Sequence, residues 1–127
     1  MCQPLAVQGM HHLAVPTRNV QAATSFYETV MGFESIARPD FSFDGAWLVH
    51  PPSGLQFHII EHHSAPGRGA IDTLAQHFAM IVPDLDQAEA LLKSHQVEYR
   101  RQVNAGGFQQ IFFQDPDGNT VEVGVYP

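Results

Sequence analysis

Two stretches of the chain read alike: Met10-His11-His12-Leu13-Ala14-Val15-Pro16-Thr17-Arg18-Asn19-Val20 and Ala75-Gln76-His77-Phe78-Ala79-Met80-Ile81-Val82-Pro83-Asp84-Leu85. Each carries a histidine, then a short apolar run, then Asn19 or Asp84, residue types whose side chains cap helix N-termini. After each cap the apolar residues fall at helical spacing. The first set is Val20, Ala23, Tyr27, Val30 and Met31, closed by Gly32; the second is Leu85, Ala88, Leu91, Leu92 and His95. Asp84 with Gln87 fits a capping box. Self-similarity of this kind predicts a tandem unit.

Beyond each helix, turn residues divide the chain into short strands. Asp44-Gly45, Pro51-Pro52-Ser53-Gly54, Gly106-Gly107 and Asp115-Pro116-Asp117-Gly118 are the punctuation. Between them lie Ala46–His50, Leu55–Ile60, Gln109–Gln114 and Thr120–Tyr126. Each half therefore reads as strand, helix, three strands, an α+β fold of two tandem βαβββ modules. The expected division is a single domain, 1–127, with module one at about 9–61, a linker at about 62–75 and module two at about 76–126. Each module is near the lower size limit for folding alone, so the pair is one unit.

Composition narrows the function. Apolar residues make up 44% of the 127, enough for a core. Six Lys and Arg stand against thirteen Asp and Glu, a net charge of −7. That balance argues against nucleic acid and anionic membranes as partners. No apolar run reaches a membrane span, no secretory pattern opens the chain, and Cys2 has no second cysteine to pair with. A cytoplasmic protein acting on a small molecule is the expectation. Eight histidines in so short a chain are the unusual feature.

Strand alternation organises four polar side chains. His12 and Ala14 face one way while Leu13 and Val15 face the helix; His77 and Ala79 likewise oppose Phe78 and Met80. In the last strand of each half, Leu55, Phe57 and Ile59 oppose Gln56 and His58, and Val121, Val123 and Val125 oppose Glu122 and Gly124. Similar chain separations pair His12 with His77 and Gln56 with Glu122. If the two sheets face each other, these four converge. Two imidazoles, a carboxylate and an amide oxygen suit one divalent metal ion, with Zn, Ni, Fe, Mn and Co all compatible. His58 shares the face of Gln56 and can replace it as ligand or serve as an acid–base. For any single histidine a plain strand-edge role is the commoner one; the repeat-related placement favours the site.

These residues resemble the vicinal oxygen chelate superfamily, which includes glyoxalase I, fosfomycin- and bleomycin-resistance proteins, methylmalonyl-CoA epimerase and extradiol dioxygenases. The carriers are His12-Leu13-Ala14-Val15 running to Asn19, Ser25-Phe26-Tyr27-Glu28-Thr29-Val30-Met31-Gly32-Phe33, His77 running to Asp84, and Asp115-Pro116-Asp117-Gly118-Asn119-Thr120-Val121-Glu122. The segment from Arg38 to Leu48, then Phe57 to Glu61, is similar to a glyoxalase-like subgroup. The resemblance implies a cupped mixed β-sheet around a metal held by His12, Gln56, His77 and Glu122. It further implies Glu122 as catalytic base with His58 beside it, and a homodimer in which the site lies within one chain or is shared between two. Trp47, Phe108 and Phe112 are the candidate pocket residues.

The implied chemistry is that of a glyoxalase-like lyase or isomerase whose substrate chelates the metal through neighbouring oxygens. Pro16 stands where some glyoxalase members carry a glutathione-binding arginine. Phe112 stands where an extradiol dioxygenase would be expected to carry tyrosine, yet two histidines and a carboxylate still suit Fe(II) in a ring-cleaving-type dioxygenase. A non-catalytic, bleomycin-resistance-like drug binder fits the acidic charge, but leaves the His, His, Glu set without a use.

Overall fold

The structure is a computed structural model and describes residues 2–127. Two four-stranded sheets carry one helix each. In the first half, β1 (His12–Thr17) is followed by α1 (Val20–Thr29), β2 (Glu34–Ile36), β3 (Gly45–Val49) and β4 (Gln56–Glu61). The second half repeats the order with β5 (His77–Ile81), α2 (Leu85–Ser94), β6 (Tyr99–Val103), β7 (Gln109–Gln114) and β8 (Thr120–Gly124). The sheet orders are β1-β4-β3-β2 and β5-β8-β7-β6, with β1 parallel to β4, β5 parallel to β8, and the remaining neighbours antiparallel. This is the α+β, two-module architecture expected from the repeat.

The helices start where the caps predict. The Asn19 side chain accepts from the Ala22 N–H at 3.0 Å, and Asp84 accepts from the Gln87 N–H at 3.1 Å. Ala23 and Tyr27 on α1, and Leu85 and Leu92 on α2, are the buried helical residues. Leu91, expected on the packed face, is 53% exposed instead, because Leu85, Ala88 and Leu92 form the face that meets the sheet core. Val15, Leu48, Phe57 and Ile59 form the first core; Ile111, Phe113, Val121 and Val123 form the second. The bulky set on each strand thus faces its helix, as alternation requires. Val125 breaks the pattern: β8 ends at Gly124, so Val125 lies outside the strand and is exposed.

Phe26, Met31, Phe78 and Met80 pack against both cores and join them. A polar lock completes the junction. Asp115, which is 1% exposed, accepts four hydrogen bonds: from the N–H groups of Asp117 and Asn119, from the Asn119 amide at 2.8 Å, and from the Tyr27 hydroxyl at 2.6 Å. Asp117 accepts from the Thr17 hydroxyl and the Arg18 N–H, and the Asn119 amide donates to the Pro16 carbonyl. The turn 115–119 of module two therefore grips the end of β1 and the face of α1. Gly118 sits at φ +84°, and an added Cβ would collide with the Gly67 carbonyl, so the linker lies directly on this turn.

Burial raises the Asp115 carboxyl above its ordinary 3.8, although the Tyr27 and Asn119 donors pull the other way. Burial, then the Asp115 charge, pushes the Tyr27 phenol well above its ordinary range, so it stays a donor. A carboxyl raised in the folded state favours folding below its ordinary value and loses that contribution as pH climbs through the raised one. Tyr27→Phe should lower stability by about 1.5–3 kcal/mol, the usual worth of a buried hydrogen bond to a charged group. Asp115→Asn should cost more, because its amide turns a donor toward the donors of Tyr27 and Asn119. Urea denaturation at two pH values checks both; an unchanged midpoint in Tyr27→Phe would refute the lock.

Candidate functional site

Strand register places the first group. Parallel pairing sets His12 opposite Gln56 and Ala14 opposite His58, and antiparallel pairing sets Trp47 opposite His58. Side chains on these positions share the face away from α1. His58 donates from Nε2 to the Gln56 Oε1 at 2.9 Å and stacks between His12 and Trp47, with ring centres 4.0 and 4.3 Å away. Burial lowers the His58 pKa first, and the neighbouring His12, His11 and Arg38 lower it further. It is held as the neutral imidazole at neutral pH, with Nδ1 left as a lone pair. His11 shares a proton with His12 through an Nδ1–Nδ1 contact of 2.8 Å.

The second group is built the same way. Parallel pairing sets His77 opposite Thr120 and Ala79 opposite Glu122. His77 Nδ1 donates to the Ala75 carbonyl at 2.7 Å, which leaves Nε2 pointing at Glu122 Oε1, 3.2 Å away. With Nδ1 donating, Nε2 and the carboxylate oxygen present two lone pairs toward a common point. Glu122 is 5% exposed. Its other oxygen accepts from the Tyr126 hydroxyl.

The register corrects the pairing drawn from chain separation. Ala14 faces His58 as Ala79 faces Glu122, and His12 faces Gln56 as His77 faces Thr120. The module counterpart of Glu122 is therefore His58, not Gln56. The positive-φ glycines that precede the two strands, Gly54 and Gly118, show the same correspondence.

The expected site residues fall into two groups on two sheets. His12, Gln56 and His58 come together, as do His77 and Glu122. Among the described residues no cluster of three or more His, Cys, Asp or Glu stands at metal-holding distance. The pocket aromatics divide likewise. Trp47 stacks on His58; Phe112 pairs across from Glu122 and meets His77 edge-on at 5.4 Å; Phe108 packs on Tyr126 at 5.9 Å. Phe112 is buried as a wall, while Phe108 is 39% exposed.

Tyr126 was not among the residues read from the sequence, where it continues the last strand. The chain turns after Gly124, and a Cβ there would meet the Tyr126 ring at 2.6 Å. That glycine, two residues beyond Glu122 on the same face of the strand, was the available signal.

Comparison with known proteins agrees with this architecture. The profile of the Glyoxalase/Bleomycin resistance protein/Dioxygenase superfamily matches residues 9–123. The chain is 33% identical to Glyoxylase I 4 of Arabidopsis thaliana, over 94% of this chain and 72% of that protein. Among solved structures, a lactoylglutathione lyase from Agrobacterium tumefaciens is similar at TM-score 0.73 and 16% identity, over 95% of this chain and 96% of that one. TnmS3, an antibiotic binding protein from Streptomyces sp. CB03234, is similar at TM-score 0.78 and 19% identity, over 98% of this chain and all of that one, 100%. At those identities the two structures speak to the fold alone. With the profile spanning nearly the whole chain, this protein belongs to the Glyoxalase/Bleomycin resistance protein/Dioxygenase superfamily.

Proposed function

We propose that this protein is a divalent-metal-dependent, glyoxalase-like lyase or isomerase, acting as a homodimer on a small substrate that presents two neighbouring oxygens. The observation that carries the reading is the His77–Glu122 pair. A histidine locked by a backbone carbonyl so that its free lone pair meets a buried carboxylate is the arrangement of a metal-ligating imidazole with its outer-shell partner. The donor chemistry fits one ion: His77 and Glu122 from one group, His12 and His58 from the other, with the Gln56 oxygen orienting His58. The two groups lie apart in one chain, and a second copy supplying the complementary module completes the set.

A bound divalent ion would polarise the paired substrate oxygens as a Lewis acid. Glu122 is the base that takes and returns the substrate proton. Tyr126 holds one carboxylate oxygen, so Glu122 presents the other in a fixed direction. Ala14 and Ala79, both exposed, leave that face of the strands open for the substrate, whereas Gly124 makes room for the Tyr126 ring.

Metal analysis of the purified protein should give about one ion per chain. His77→Ala and His58→Ala should lose it, whereas Gln56→Ala should keep it with affinity weakened about 10–100-fold, the usual effect of removing an outer-shell partner. Retention in His58→Ala with loss in Gln56→Ala would transfer the ligand role to Gln56. No uptake by the unmodified protein would favour a drug-binding role.

Tyr126→Phe should likewise weaken metal binding by about 10–100-fold without loss of fold, read by competition with a chelator. The shared-site reading has its own check. His12→Ala and His77→Ala homodimers should both lack metal. Co-refolding the two variants should restore binding, because each mixed dimer regains one intact site. A site contained in one chain would stay empty in the mixture.

A further inference from the structure

A row of rings crosses the concave side of the first sheet. Phe43 and Phe41 lie 5.2 Å apart between centres, Phe41 and Trp47 6.0 Å, Trp47 and His58 4.3 Å, and His58 and His12 4.0 Å. Trp47 and His58 are within 4° of parallel, and His58 and His12 within 17°. Side chains stand roughly perpendicular to a sheet. Rings stacked face to face on neighbouring strands therefore turn their edges outward. Ring edges carry the positive end of the aromatic quadrupole and favour the π face of a flat group laid across them.

The outer end of the row is not explained by core packing. Phe41 is 40% exposed and Phe43 45%. The Arg38 guanidinium lies 4.9 Å from one ring centre and 5.1 Å from the other, and donates to the Phe43 carbonyl at 2.8 Å. It enters no ion pair among the described residues. A guanidinium has five N–H donors in a planar fork suited to a carboxylate. Of the six Lys and Arg only Arg101 enters an ion pair among the described residues, so Arg38 is set apart by its two flanking rings.

We propose that Arg38, Phe41, Phe43 and Trp47 form the substrate-selecting wall of the site. The wall takes a flat conjugated group across the ring edges and a carboxylate on Arg38. The inference rests on the reading above, in which the donor cluster beside the wall holds the paired oxygens. It narrows the substrate class to conjugated or aromatic carboxylates that also carry two neighbouring oxygens, and it disfavours short aliphatic compounds.

Trp47 is the chain's single tryptophan, so its fluorescence reports on the wall directly. The probes are acetohydroxamate, benzohydroxamate and 4-carboxybenzohydroxamate, titrated into zinc-loaded protein. The first offers only the oxygen pair, the second adds a ring, and the third adds a carboxylate. Affinity should rise about tenfold with the ring and about tenfold again with the carboxylate. Arg38→Gln should erase the second gain and keep the first, and Arg38→Lys should recover part of it. The double change Phe41→Ala, Phe43→Ala should reduce the first gain. Equal affinity for all three probes, or a carboxylate gain that survives Arg38→Gln, would overturn the proposal. Absence of zinc uptake sinks the metal reading instead. The wall is then judged on metal-free protein, where quenching by terephthalate that disappears in Arg38→Gln supports it and no quenching overturns it.

Discussion

A carboxylate removed from water must find donors, and Asp115 finds four of them within one turn and one helix. That requirement holds the two modules in register. The turn that satisfies Asp115 also presents Asp117 to Thr17 and Arg18, and Asn119 to the Pro16 carbonyl. One end of β1 and the start of β8 are therefore fixed by the same few residues. Those are the strands that bear His12 and Glu122. A site whose side chains stand on strands anchored in this way inherits the rigidity of the frame. The apolar contacts of Phe26, Met31, Phe78 and Met80 bring the modules together without direction; the polar lock sets the angle and the register.

Much of this was legible in the sequence because it depends on local periodicity. Caps at Asn19 and Asp84, helical spacing after them, and alternation around His12, His77, His58 and Glu122 are short-range rules with one solution. The lock was visible only as a turn and as a shared motif. Its partner, Tyr27, is far away in the chain and read as a core aromatic. The Gln56–Glu122 pairing failed for a related reason. Chain separation counts loop residues, whereas register counts backbone hydrogen bonds, and the two differ wherever loops differ in length. Aligning Gly54 with Gly118, the residues at positive φ before each strand, would have paired His58 with Glu122 from the outset. Tyr126 was hidden because Val125 continues the apolar alternation of β8. Only the close fit of its ring over Gly124 shows that the strand has ended.

Each polar group is satisfied by its own sheet. Gln56 accepts from His58, and Glu122 accepts from Tyr126 while its other oxygen faces His77. A buried polar group left without partners would cost on the order of a few kcal/mol. The site's internal partners are thus local, whereas the modules themselves depend on each other through Tyr27, Asp115 and Asp117.

The division also separates chemical roles. The first sheet offers imidazoles, an amide and a row of rings; the second offers the one buried carboxylate of the two groups. Under the proposed reading, a metal facing both would see a single negative ligand and keep most of its charge for the substrate oxygens. The aromatic wall lies entirely on the neutral side, with Arg38 as its positive end. Asp40 and Asp44 flank the ring pair in the chain, so the positive end of the wall is local to the Arg38 guanidinium. In a molecule with a net charge of −7, one guanidinium seated between two rings gives an acidic ligand a local point of attachment that the overall charge does not.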